Sequence, residues 1–373
     1  MGQKRFFVSS AGPSATQNSY LEELNMKKHT LRNYLSLAVA AALALSLAAC
    51  GGTSSSSPSG AAPSASASAA GGAGSVKIGI IQYAPHPSLD NCTKGIVQGL
   101  SDAGYTDGQN GVSIDIQNGQ GDKSNTDMMA KNMVSEGYNL IIAVATPAAM
   151  SAYSAARDAD VPVVFSAVSD PVAAGLVQSL DTPQSGATGT SDSLNLAGQM
   201  KMIRALLPEA KTIGVLYTTS EPNSVSHLKT FKELAGQYGF TIEDVGITNE
   251  SEVASGAAAL VARDVDCVNN FTDNNVVNNL STLLHATDEA GIPVFGSEEE
   301  QVRNGCVASE TLDYVSLGVT TGQMAASILD GADVNTMAVS VVADSTPVYS
   351  AAACEKFGIT IPEAYTSADN LDQ

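Results

Sequence analysis

The chain has 373 residues, 44% hydrophobic and 15% charged, with no Trp, which is enough apolar content and length for two domains of ordinary size. Its 18 Lys and Arg face 38 Asp and Glu, and five of those basic residues lie before residue 50 with only Glu22 and Glu23, leaving the remainder at 13 basic against 36 acidic. A body that acidic repels polyphosphate, so binding of nucleic acid through a basic surface is excluded.

The chain opens with an address. Met26-Lys27-Lys28-His29 and Arg32 form a basic start, and Leu35–Leu47 is a 13-residue run that is apolar apart from two Ser. That is shorter than the roughly 20 residues a membrane-spanning helix needs, so it reads as an export signal, residues 1–49, complete from Met26 onward. It ends in Leu47-Ala48-Ala49-Cys50-Gly51, which resembles the bacterial lipobox, where cleavage precedes a diacylated Cys. Cys50 is therefore the expected lipid attachment point on the outer face of the cell membrane; the alternative is a Cys that merely follows an ordinary signal. Gly51–Gly74 contains only Gly, Ser, Thr, Ala and Pro and cannot bury enough surface to offset its ordering entropy, so residues 50–74 read as an acylated Cys and a flexible tether.

From Val76 short aliphatic runs alternate with helical patterns. The runs are Val76–Gln82, Leu140–Ala145, Val161–Ala167, Thr212–Tyr217 and Ile292–Phe295. The helical stretches are Leu89–Ala103, Asn125–Glu136, Ala148–Ala159, Leu194–Leu207, Val225–Gln237, Val253–Arg263, Asn274–Ala290 and Leu312–Leu329. Continuous rather than alternating hydrophobicity predicts strands covered on both faces, an α/β fold of doubly wound parallel sheets. The pattern occurs twice. Ile78-Gly79-Ile80 matches Ile213-Gly214-Val215, Pro87 matches Pro222 and Gly104-Tyr105 matches Gly239-Phe240, each 135 residues apart. Asn139–Pro147 then aligns with Asp266–Asn274 at 127, and Val161-Pro162-Val163 with Ile292-Pro293-Val294 at 131. Two lobes of one design follow, with a cleft beyond the carboxyl ends of their strands.

The strand ends carry hydroxyls, amides and carboxylates and no Lys or Arg. They are Gln82-Tyr83-Ala84-Pro85-His86, Thr146-Pro147-Ala148, Ser169-Asp170 and Gly189-Thr190-Ser191-Asp192 in the first half. In the second they are Ser220-Glu221-Pro222-Asn223-Ser224, Thr272-Asp273-Asn274 and Gly296-Ser297-Glu298. Such a set suits a small zwitterion or polyol: helix N-termini hold a carboxylate, and Asp273 or Asp192 faces an ammonium. Each of these residues is equally explained as a helix cap. Tyr83, Tyr217 and Phe271 suit either a flat ligand or the lobe core. With four His, no G-x-S-x-G elbow and no H-E-x-x-H helix, nothing supports catalysis, and no metal or cofactor is expected. Cys92, Cys267, Cys306 and Cys354 lack metal-like spacing and allow three pairings, so they read as buried small hydrophobes with at most one bridge.

In combination Gly79–Asp90, Ala143–Ala149, Pro162–Val172, Gly189–Asp192, Gly214–Tyr217 with Asn223-Ser224, Thr272–Asn274 and Ile292–Gly296 carry a resemblance. Over about residues 75–365 the chain resembles ABC-transporter substrate-binding lipoproteins of the tryptophan/tyrosine-transport type. The resemblance implies a type I periplasmic-binding-protein fold with three crossovers, near Thr188–Ser193, Ala308–Leu312 and Val334–Ser340. Lobe 1 would then hold 75–190 and 312–336, and lobe 2 191–311 and 337–373. Its implied ligand contacts are Gln82, Tyr83, His86, Thr146, Ala148, Asp170, Ser191, Asp192, Asn223, Ser224, Asp273 and Asn274. Tyr83, Phe271 and Ser297 depart from the family pattern. The implied function is capture of an amino acid, aromatic by this likeness, by a monomer that delivers it to an ABC permease and its ATPase. A sugar or nucleoside ligand, or a sensory role beside a signalling partner, are the alternatives.

Overall fold

In the computed structural model of the protein, residues 75–342 and 344–372 are described; the export segment, Cys50 and the tether lie outside them. All belong to one of the two units into which the chain divides, Ala69–Gln373.

The first lobe is built on β1 (Val76–Gln82), β2 (Val112–Asn118), β3 (Leu140–Val144), β4 (Val163–Ser166) and β5 (Ala187–Ser191). They pair in the order β5-β4-β3-β1-β2, all parallel, with Ile78 opposite both Leu140 and Ile114. Helices α1 (Pro87–Asp102), α2 (Lys123–Ser135) and α3 (Thr146–Ala156) connect them. The second lobe repeats the plan with β6 (Thr212–Thr218), β7 (Thr241–Ile247), β8 (Cys267–Asn269), β9 (Val294–Phe295) and β10 (Ala308–Thr311). Its sheet runs β7-β6-β8-β9, and bonds from the Val307 amide to the Val294 carbonyl (2.7 Å) and from the Gly296 amide to the Ala308 carbonyl (3.0 Å) set β10 beside β9. Both lobes therefore share one strand order, as the internal sequence repeat required. The connecting helices are α4 (Leu196–Leu206), α5 (Pro222–Ala235), α6 (Val253–Val261), α7 (Asn274–Asn278), α8 (Leu280–Glu289) and α9 (Glu299–Arg303).

The chain then returns to the first lobe as α10 (Tyr314–Leu329), adds β11 (Ser340–Val341) to its sheet, and re-enters the second as β12 (Thr346–Tyr349), α11 (Ala351–Lys356) and β13 (Asp369–Asn370). Strand β11 pairs with β5, Ser340 opposite Thr190, so the third crossover follows Val341 instead of falling near Val334–Ser340, and the 336/337 lobe boundary moves accordingly. Strand β12 is antiparallel to β10, the exception to an otherwise parallel architecture.

Helix α1 lies against α10 at backbone distance. A β-carbon at Gly95 would sit 2.1 Å from the Val315 carbonyl oxygen, and one at Gly318 2.1 Å from that of Cys92. Gly99 and Gly322, one turn further along each helix, meet backbone at 2.3 and 2.4 Å. Glycine four residues apart on both helices is what allows this approach. The expected single helix Asn274–Ala290 is broken at Asn279, whose φ of −115° and ψ of 26° leave the helical region. Four Asn in Asn274–Asn279, with side chains that compete for backbone partners, account for the break; Asn279 Nδ2 donates to the Asn275 carbonyl. All four cysteines among the described residues are free and buried, the small-hydrophobe reading without a bridge.

Candidate functional site

Between the lobes lies a tight polar pocket, a chamber of about 20 Å³, room for about one water molecule. The first lobe contributes His86, Leu89, Ala145, Thr146, Ala167 and Ser169; the second contributes Asn223, Thr272, Asn274 and Glu298. Asp192, on the first crossover, and Tyr314, just past the second, close the hinge side.

The Thr146 wall is a helix N-terminus. Ala145 takes φ +78° and ψ 152°, a conformation residues with a β-carbon rarely adopt. That bend sets α3 end-on to the chamber with Pro147 at its first turn, where a missing N–H costs nothing. The Thr146 and Ala148 amides have no hydrogen-bond partner among the described residues, so this wall presents donors to an anion. The remaining walls present acceptors. His86 Nδ1, Asn223 Oδ1 and Thr272 Oγ1 are buried without a partner, and no Lys or Arg lines the chamber. Burial holds the His86 imidazole down at about 4, so it is neutral at physiological pH.

Two carboxylates face the same space. Asp192 accepts the Ser169 hydroxyl (2.9 Å) and the Tyr314 hydroxyl (3.0 Å), and burial pushes it up to about 6. Glu298 accepts the Ser88 hydroxyl (3.0 Å), and burial, with a smaller contribution from Asp192, raises it to about 7. Donors on one wall and acceptors with paired carboxylates elsewhere match a zwitterion's two ends.

The residues expected from sequence divide into three groups. His86, Thr146, Asp192, Asn223 and Asn274 line the chamber, and the Ala148 amide sits in its donor wall. Asp170 bridges the lobes, its Oδ2 accepting the Ser226 hydroxyl at 2.5 Å. The others hold the walls in shape. Gln82 bonds Ala84, Asp90 and Thr93; the Tyr83 hydroxyl donates to the Gly121 carbonyl; and Ser191 donates to the Ser169 carbonyl. Ser224 donates to Asp273, which is fully buried and also accepts from the Thr218 amide, the Thr218 hydroxyl and the Val276 amide. With its oxygens occupied by protein donors, Asp273 is an anchor of the second lobe and not the partner of an ammonium, which corrects the role expected for it.

Nor do the expected aromatic residues face a ligand. Phe271 is fully buried, edge-on to Phe231 at 5.3 Å, and Tyr217 packs on the same core. The chamber's aromatic ring is that of Tyr314, which sequence reasoning missed because the second crossover brings it in from 122 residues beyond Asp192. Glu298 was missed as well, though the segment Gly296–Glu298 stands after a strand run.

This is the architecture of a hinged solute-binding protein: twin parallel-sheet lobes, three crossovers and a polar pocket between them. The chain belongs to the ABC transporter substrate binding protein family, whose model matches residues 77–370, and members of that family work outside the cytoplasm. It is 38% identical over 271 residues, 73% of this chain and 77% of the other, to a tyrosine-binding protein of Clostridioides difficile. The structure of an ABC domain in complex with L-Trp from Streptococcus pneumoniae matches at TM-score 0.76 and 36% identity, covering 79% of this chain and 98% of that one. A ligand-free, open substrate-binding protein with adhesive properties from Clostridium difficile matches at the same identity and coverage but at TM-score 0.61. At equal identity and coverage, the chain superposes better on the L-Trp complex than on the open structure.

Proposed function

We propose that the protein captures an aromatic amino acid between its lobes and presents it, closed, to an ABC permease driven by its ATPase, while an acylated Cys50 moors it outside the membrane. The observation that carries this reading is the polarity of the pocket lining, with unpartnered amide donors at the start of α3 and unpartnered acceptors on His86, Asn223 and Thr272; at about 20 Å³ the pocket must widen to admit the ligand. The Thr146 and Ala148 amides take the ligand carboxylate, where the helix dipole favours it. Asp192 and the unpartnered Asn223 and Thr272 oxygens receive the ammonium. Leu89, Ala145, Ala167 and the Tyr314 ring supply the apolar surface. The two relatives named for tyrosine and bound to tryptophan support the ligand class.

Ligand that touches both lobes stabilises the closed form over the open one, and the permease reads closure. Micromolar affinity corresponds to about 8 kcal/mol, ample against a hinge equilibrium of a few. The test is calorimetry and thermal shift with the common amino acids, nucleosides and sugars. Tyrosine, tryptophan or phenylalanine should bind and raise Tm while the sugars and nucleosides do not; a sugar binding in preference would overturn the reading. Because the chain has no Trp, bound tryptophan is also readable directly by its own fluorescence. For the anchor, Cys50→Ser should release the exported protein from the membrane fraction.

A further inference from the structure

Glu298 is the chamber residue that also touches the opposite lobe. It belongs to the second lobe, is 2% exposed, and reaches across to accept the hydroxyl of Ser88 in the first turn of α1. Beside it the chamber holds Asp192, 3% exposed, which bonds two hydroxyls and no cation. Glu298 and His86 line not only the pocket but also an open groove of about 290 Å³ outside it, so they stand between the two.

Closure thus carries Glu298 out of water and sets it against a second buried carboxylate in a space without Lys or Arg. A buried ionised carboxylate is strongly disfavoured unless paired, and two sharing a site are worse. Resting on the amino-acid reading of the site, we infer that Glu298 makes closure conditional on a positive charge in the ligand, and that it is the residue by which the protein selects an amine over its deaminated analogue. Were the lobes to part, Glu298 would lose the Ser88 hydroxyl and meet water. With an ammonium seated between it and Asp192, both carboxylates remain ionised, and Glu298 docks on Ser88. With an uncharged isostere the lobes would close over two unpaired anions. The raised titration of both groups in the empty chamber is the same effect, seen as a preference for the proton when no cation is present. Glu298 is therefore a gate as well as a contact, because the oxygen that meets the ligand's charge belongs to the carboxylate that seals the lobes.

The experiment compares L-tryptophan with indole-3-propanoate, which lacks only the amine, on the mature protein at neutral pH, following affinity by calorimetry and closure by small-angle scattering. Wild type should bind tryptophan and contract, and should reject the analogue by about a hundredfold or more without contracting. Glu298→Gln should reduce that ratio at least tenfold, as tryptophan binding weakens and analogue binding does not. Ser88→Ala, which removes the hydroxyl but keeps the charge, should preserve the ratio. An unchanged ratio in Glu298→Gln overturns the gate while leaving the amino-acid site standing. Contraction of wild type around the analogue overturns it without any variant, so the test survives a variant that fails to fold. If wild type binds no aromatic amino acid at all, the site reading fails and the gate with it.

Discussion

Asp273 shows how a strand-end carboxylate can be read two ways and which way packing decides. Its side chain caps α7, ties it to the last residue of β6 and holds Ser224 at the start of α5, so three elements converge on one buried group. Asp273→Ala would strand the Thr218 amide and two hydroxyls in a dry interior, at a cost of about 3 kcal/mol or more. Urea unfolding should show this loss whether or not ligand is present; wild-type stability with weakened binding would restore the ligand-contact role. The neighbouring Glu221 is held well above the usual carboxylate range by burial first and by Asp273 second, which marks this corner as a polar core. Sequence named the right segments here, because Ser, Thr, Asp and Asn at strand ends are legible. Which of them face the cleft depends on partners 49 to 57 residues away, and a local pattern does not carry that information.

At the level of elements, the internal repeat was the strongest signal and the strand order confirms it. The central strands β1, β3, β4 and β6 were legible because both faces are covered and the run is continuously apolar, whereas the three-residue β8 was reached only through the repeat. The edge strands β2 and β7 were not, because one side of each faces solvent and Val112–Asn118 and Thr241–Ile247 alternate with polar residues. Strand β11 escaped notice because two residues pairing at a sheet edge leave no periodicity to detect. The contact between α1 and α10 was equally silent in hydropathy, since what it requires is the absence of side chains. Gly318→Ala would force a methyl group into the Cys92 carbonyl, backbone that cannot swing aside, and overpacking of this kind costs about 3 kcal/mol. Thermal unfolding should therefore show a large drop for Gly318→Ala and little for Gly236→Ala, where a β-carbon meets nothing; equal Tm values would refute the close-packing account.

Across the whole molecule, the buried ionisable groups pull stability in opposite directions. Asp192 at about 6 and Glu298 at about 7 lie above their unfolded values, so their contribution is present at low pH and lost as pH rises through those points. His86 and His227, both lowered by burial to about 4, contribute above 6.5 and lose that contribution as pH falls toward 4. Between 6.5 and 8 the histidines finish losing their proton in the unfolded chain and add a little stability, while Glu298 and the likewise raised Glu221 lose theirs. The ligand-free protein should therefore lose Tm as pH is raised from 6.5 to about 8, and saturating amino acid should cancel the share that belongs to Glu298 and Asp192 while leaving that of Glu221. A Tm that climbs over the same interval would contradict the burial of Glu298. The two-lobe plan and the existence of a cleft were legible from the repeat and from strand-end composition. The contacts between the lobes, Glu298 with Ser88 and Asp170 with Ser226, were not, since they relate surfaces of separate lobes.

One small residue draws the hinge together. Ser345, on the third crossover, donates to Glu310, which precedes the second, and accepts from Asn195, which follows the first. The three crossover ribbons thereby meet at one hydroxyl. Rocking of one half against the other would strain both of that hydroxyl's hydrogen bonds at once.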